Sequence, residues 1–242
     1  VLFDLDDTLF DHEASARAAL AVVRSRFACF ARLTAADFER THAQFLERLH
    51  QRVIDGAVGI DEARIERFRL LFDAACEAAD EGRAADAARC YRGAYIEARR
   101  PVAGAAALLA ALHGRVRIGI VSNNVLDEQR QKLERCGLTS YISALVVSEE
   151  AGVSKPDPGI FGIALERLGC APDEGLMIGD SWANDVAGAL AAGIPAMWFN
   201  PRGGEPPDST VCVPVLRSLE PADAAARAIL GAAYPFRRAH RH

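Results

Sequence analysis

After Arg100-Pro101 the chain settles into an alternation that leaves few architectures open. Short apolar runs at Arg115–Val121, Ala144–Val147, Gly175–Gly179 and Pro195–Phe199 are separated by segments with helical start and stop signals. In one such segment Asp157-Pro158 supplies an N-cap and a first-turn proline. Phe161, Ala164, Leu165 and Leu168 then form an apolar face, and Gly169 closes the helix. Gly137 and Gly193 end their own helices in the same way. Strands joined by crossover helices pair in parallel, with helices covering both faces of the sheet. Residues 1–5 read as a further buried strand of that sheet, so the pattern predicts a doubly wound parallel α/β fold.

Between that first strand and the rest the texture is helical only. Ala14–Phe30 gives one helix; Thr34 then caps another that carries Phe38, Phe45, Leu49 and Val53. Asp61 reads as the cap of a helix bearing Ile65, Phe68, Leu71, Phe72 and Cys76, and Ala84–Glu97 as one bearing Tyr91 and Tyr95. These aromatic stripes read as packing faces. The organisation expected is a core made of residues 1–12 and 101–242, with residues 13–100 inserted as a helical cap.

Composition narrows the functional classes. The 242 residues are half hydrophobic, one quarter charged and carry a net charge of -5, enough for a sizeable core and without a general electrostatic footprint for nucleic acid or an anionic membrane. Six scattered cysteines with no CxxC pair read as reduced, mostly buried thiols of a cytoplasmic protein. The apolar stretches Val102–Leu112 and Val186–Phe199 are too short, or too broken by Gly193 and Pro195, to span a bilayer. The chain begins at Val1, inside a strand and without an initiator methionine, which implies a few residues upstream; Arg237–His242 reads as a solvated tail.

Ligands of open parallel sheets bind beyond the carboxyl ends of the strands. The unusual polar clusters of this chain fall there: Asp4, Asp6 and Thr8 after the first strand; Ser122, Asn123 and Asn124 after the second; Ser154-Lys155-Pro156 after the third; Asp180 and Asp185 after the fourth. Asp4 and Asp6, two apart, are expected on one side of a strand end. Taken singly, Ser122-Asn123 could cap a helix, Lys155 could be solvated, and the paired aspartates could serve a turn. Their order and placement together point to phosphoryl chemistry.

These clusters resemble the four signature motifs of the haloacid dehalogenase superfamily: Asp4-Leu5-Asp6-Asp7-Thr8-Leu9, Ser122, Lys155, and Gly179-Asp180 with Asp185. The resemblance implies a Rossmann-like core with a helical cap, and a phosphatase in which Asp4 attacks phosphorus to give an aspartyl-phosphate. A carboxylate approaching a phosphate dianion meets repulsion of about 8 kcal/mol at 4 Å, for an effective dielectric near 20. Cations are therefore required. Magnesium would sit on Asp4 and Asp180 with the backbone carbonyl of Asp6, and Asp185 would hold a metal-bound water or orient Lys155. Lys155, Ser122 and Asn123 would bind the phosphoryl oxygens. Asp6 would protonate the leaving oxygen and later activate water, with Thr8 either fixing the local turn and the orientation of Asp6 or serving a purely structural role.

A halide leaves without a proton, so Asp6 favours phosphate esters over haloacids. The wording from Val147 to Pro156 and at Trp198-Phe199-Asn200-Pro201 resembles the pyrimidine 5'-nucleotidase branch. The expected partner is a small phosphorylated metabolite, with no nucleic acid polymer and no membrane. A phosphomutase, a dehalogenase and a non-catalytic phosphate-ligand-binding module remain the alternatives on this fold. Leaving-group recognition is expected from the cap, where His12, Arg17, Arg24, His42, Arg48 and Tyr95 each also have a plainer packing or solvated role.

Overall fold

A computed structural model describes residues 1–233. The chain forms two compact units, Val1–Asp11 with the chain from Arg100 onward, and His12–Arg99. The first is built on six parallel strands: β1 (Leu2–Phe3), β2 (Gly119–Ser122), β3 (Ala144–Val147), β4 (Met177–Gly179), β5 (Ala196–Phe199) and β6 (Val215–Leu216). Their order, β3-β2-β1-β4-β5-β6, is that of a Rossmann-like doubly wound sheet, with helices on both faces. Leaving β1 the chain moves to one side of the sheet, and leaving β4 it moves to the other, so the switch point lies between the ends of these two neighbours. The strands are shorter than the apolar runs: residues 1–5 contribute Leu2–Phe3, and 115–121 contributes only its end. β6, flanked by Pro214, was not anticipated.

The helical unit contains α1 (His12–Arg26), α2 (Ala35–Ile54), α3 (Ile60–Ala74) and α4 (Glu81–Glu97), with a 3-10 turn over Ala28–Arg32. The Thr34 hydroxyl accepts the N–H of Asp37, as its capping role requires. Asp61 is not a cap: α3 starts one residue earlier, Gly59 takes the capping position, and Asp61 lies in the first turn. Cys76 likewise falls beyond α3, exposed and at φ 53, so it leaves the packing stripe. Phe30 packs at a tilt against Phe38 and Phe72 with centroid distances of 4.7 and 4.6 Å.

His42 is buried in this unit, 4.8 Å from the Tyr91 ring, with Arg67 over the other aromatics Tyr91 and Phe68. Burial, then the charges of Arg67 and His12, hold His42 well below the ordinary histidine value of 6.5. The unfolded chain takes up a proton as pH falls through 6.5, whereas the folded unit does not. The His42 contribution to stability is therefore full above that value and falls below it, by at most about 1.4 kcal/mol per pH unit. Because other groups titrate in the same range, the readout is the difference between wild type and His42→Phe: the wild-type melting temperature should drop relative to that of the variant between about pH 7.5 and 5, and a constant difference would remove His42 as a source.

In the sheet unit the helices are α5 (Ala105–Leu112), α6 (Leu126–Arg135), α7 (Ser148–Ala151), α8 (Pro158–Leu168), α9 (Gly188–Ala191) and α10 (Ala222–Ala233). α8 begins as expected, with Asp157 accepting the Gly159 N–H and Pro158 in the first turn, and ends at Gly169, φ 59. Its Ile160, Phe161, Ala164, Leu165 and Leu168 pack with Leu2, Val121, Val146, Met177 and Trp198 to form the core beneath the strand ends. Full burial of each large side chain there contributes about 1.5–3 kcal/mol. α5 and α10 pack together.

All six cysteines are free, but the expectation of mostly buried thiols is corrected: only Cys29 is buried, while Cys76 and Cys212 are exposed. Among the described residues no helix is long and apolar enough to cross a membrane. The tail expected at Arg237–His242 lies outside the described residues.

Candidate active site

β1 ends at Phe3, yet the Asp4 N–H still donates to the Ile178 carbonyl at 2.9 Å, holding Asp4 beside β4. The chain then turns sharply: the Leu5 carbonyl accepts from Thr8, Leu9 and Phe10, and Asp7 occupies the left-handed region at φ 59. A turn, not the pleat of a strand, therefore sets where Asp6 points. Its carboxylate lies against α6, where Lys132 Nζ donates to Oδ1 at 2.6 Å and Gln129 Nε2 to Oδ2 at 3.0 Å. Asn124 Nδ2 also donates to Oδ2, at 3.3 Å.

The switch point holds the other carboxylates. Lys155 Nζ bridges Asp4 Oδ1 and Asp185 Oδ1, both at 2.6 Å, and the three residues are 5%, 7% and 1% exposed respectively. Asp185 reaches this place from a wide π-type turn, Trp182–Ala187, in which Ser181 accepts the N–H groups of both Asp185 and Val186. The Ser181 N–H returns a bond to Asp185 Oδ2 at 3.0 Å. This carboxylate lies against Gly179, where any Cβ would collide with it, which explains the glycine before Asp180. Trp198 of β5 donates its indole N–H to the Asp180 carbonyl at 2.9 Å, fixing that residue from the neighbouring strand.

Asp4, Asp180 and Asp185 place carboxylate oxygens within 4.8 Å of one another. Burial, with Asp185, Asp180 and Asp6 adding to it and Lys155 opposing, pushes Asp4 well above the ordinary carboxylate range. Asp180 is pushed up to about 7, by burial first and then by Asp185 and Asp7. Burial works against the Lys155 ammonium, but the Asp185 and Asp4 carboxylates outweigh it and raise its pKa. Three carboxylates facing one ammonium are under-compensated, and their oxygen donors fit a hard divalent cation.

One expected contact is corrected. Thr8 does not orient Asp6; its hydroxyl accepts the Asp180 N–H at 3.1 Å and donates to Asp180 Oδ1 at 3.4 Å. The Asn123 side chain accepts the Lys155 N–H at 2.7 Å and donates to the Lys155 carbonyl at 2.8 Å. It thus ties the Lys155 loop to the end of β2. Ser122 is the last residue of β2, not a helix cap, and its Oγ accepts Gln129 Nε2 at 2.5 Å. The Asp6 side chain stands outside the carboxylate trio.

Gln129 and Lys132 were not singled out from the sequence. Their signal was nonetheless available: they lie three apart on α6, on a buried face with Leu133 where apolar residues would be ordinary. In the helical unit the cap candidates have local partners. Arg17 pairs with Glu13 and Glu39, Arg24 donates to the Leu33 carbonyl, Arg48 lies over Phe45, and His12 Nδ1 is 2.7 Å from the Tyr95 hydroxyl.

Comparison with known proteins agrees with this arrangement. One relative, the pyrimidine 5'-nucleotidase YjjG of Escherichia coli, is 40% identical over 135 residues, 54% of this chain and 60% of that protein. The match thus spans little more than half of that relative's length. A ribulose-1,5-bisphosphate 5-phosphatase of Halopiger xanaduensis is 34% identical over 208 residues, 83% of this chain and 84% of its own. The crystal structure of the HAD-hydrolase YfnB from Bacillus subtilis, bound to magnesium, superposes with a TM-score of 0.75 at 26% identity, covering 93% of this chain and 97% of that one. Since the haloacid dehalogenase-like hydrolase model also matches residues 1–193, through every carboxylate and the lysine of the site, the chain belongs to that family.

Proposed function

We propose that the protein is a magnesium-dependent phosphatase that hydrolyses a small phosphate monoester through an aspartyl-phosphate on Asp4, with nucleoside 5'-monophosphates the first candidates. The observation that carries this reading is the Lys155 ammonium shared between Asp4 and Asp185 at 2.6 Å, beside Asp180 and with Asp6 held two residues from Asp4. An Asp4 oxygen forms a bond to phosphorus as the bond from phosphorus to the ester oxygen breaks, and the departing oxygen takes a proton from Asp6. Asp6, now a carboxylate, removes a proton from the water that attacks the aspartyl-phosphate; Asp4 and inorganic phosphate are released. Lys155 offsets charge on the nucleophile and the phosphoryl oxygens, and the Ser122 hydroxyl hydrogen-bonds those oxygens. Magnesium on the Asp4 and Asp180 carboxylates and the Asp6 carbonyl would supply Lewis-acid neutralisation of the phosphate.

The presence of an acid at position 6 supports an ester, whose leaving oxygen needs a proton, over a haloacid. The names of the Escherichia coli and Halopiger relatives support a small phosphorylated substrate, and the former directs attention to nucleotides. The test is inorganic phosphate release from nucleoside monophosphates, sugar phosphates and phospho-acids, with magnesium and with chelator. Magnesium-dependent release is expected, highest with pyrimidine monophosphates. No release by folded, metal-loaded protein would overturn the reading.

A further inference from the structure

We propose that Lys132 and Gln129 of α6 are positioning residues that hold the Asp6 carboxylate at the reacting phosphate, Gln129 linking it to Ser122. This rests on the phosphatase reading above and assigns two residues that its signature motifs do not contain. The side chains are 2% and 0% exposed, so each is a buried polar group placed where a core residue would cost less. Lys132 Nζ lies 2.6 Å from Asp6 Oδ1 and 5.0 Å from the centre of the Phe10 ring. A lysine chain stretched over an aromatic ring and ending on a carboxylate has little rotational freedom left. Gln129 spends one amide group on two partners, Asp6 Oδ2 at 3.0 Å and Ser122 Oγ at 2.5 Å. The acid/base and the hydroxyl assigned to phosphate binding are therefore spaced by a single planar amide.

The need for such support follows from the chemistry. Asp6 acts at both ends of the reaction, first on the leaving oxygen and then on water, and both arrive from the side opposite Asp4. The turn fixes the Asp6 backbone, but a side chain on a given backbone still has several staggered rotamers open to it. Displacement by about 1 Å is enough to lose on the order of 100-fold in rate. Held at both oxygens from a regular helix, Asp6 keeps one position through both steps. The Phe10 contact alone would explain burial of Lys132, but not why the ammonium ends on Asp6 or why Gln129 joins Asp6 to Ser122.

The test compares wild type with Lys132→Met, which keeps the packing over Phe10, and with Gln129→Met. Two substrates are used: p-nitrophenyl phosphate, whose leaving group needs no acid, and the alkyl monoester that wild type turns over fastest. The expected result for Lys132→Met is a kcat about 100-fold lower on the alkyl ester with KM changed less than about threefold. With p-nitrophenyl phosphate, a burst of nitrophenol and an accumulating Asp4 phosphoenzyme are expected, because attack proceeds while the water step is slow. Gln129→Met should show the same burst with a raised KM, since Ser122 also loses its support. A general packing defect would lower both substrates alike and give no burst. Wild-type kcat in Lys132→Met, or uniform loss without phosphoenzyme, would overturn the assignment. If Lys132→Met does not fold, the Gln129→Met burst decides it. An inactive wild type would instead strike the phosphatase reading itself.

Discussion

Asp4→Asn should leave the protein folded and lower kcat/KM by at least about 10,000-fold, about 5 kcal/mol of transition-state stabilisation. The substitution keeps the shape of the side chain, and its amide oxygen can still accept the Lys155 ammonium that now lies 2.6 Å from Asp4 Oδ1. What it removes is the anionic carboxylate proposed as the nucleophile. Because burial already penalises the charged form of Asp4, the neutral amide should be tolerated well in metal-free protein, so lost activity cannot be charged to unfolding. Phosphate release, intact-protein mass after substrate addition and a melting curve together check this. The expected pattern is no release, no phosphoenzyme and a melting temperature at or above that of wild type. Turnover at the wild-type rate would remove Asp4 from the nucleophilic role.

The sequence made the sheet legible because each strand of the centre is an apolar run that stops at a polar cluster. Asp4, Ser122 and Asp180 are read directly from those stops, since a parallel strand's carboxyl end and a crossover's beginning fall at fixed places along the chain. What escaped were contacts between side chains distant in sequence. Thr8 turned to Asp180, 172 positions away, rather than to its neighbour Asp6, and Asn123 to the backbone of Lys155, 32 positions away. Lys132 and Gln129 were hidden for the same reason, 126 and 123 positions from Asp6. Hydrophobic periodicity finds the faces of a helix by its apolar residues, and α6 presents polar residues to the interior. The pleat argument for Asp4 and Asp6 failed on length: the strand ends before either, and the turn at Leu5–Phe10 does the placing.

Asp180 makes stability and metal binding parts of one equilibrium, and magnesium should raise the melting temperature more at pH 8 than at pH 5. Its pKa rises from 3.8 in the unfolded chain to about 7 in the metal-free fold, so between these values the folded protein binds the proton and the unfolded chain does not. The Asp180 contribution to metal-free stability is therefore full below about 4 and falls as pH rises toward about 7. The ceiling on that fall is about 4 kcal/mol, and partial solvent exposure of the carboxylate brings it nearer about 2 kcal/mol. A divalent cation reverses the sign by binding the deprotonated group. At 100 times its dissociation constant it contributes about 2.7 kcal/mol, about 5–10 °C for a chain of this size. At pH 5 the cation must first displace the Asp180 proton, and the increment shrinks. Asp180→Asn should melt higher than wild type in chelator at pH 8 and gain little from magnesium. A magnesium increment equal at both pH values, or undiminished in Asp180→Asn, would place the cation elsewhere than on the Asp4, Asp180 and Asp185 trio.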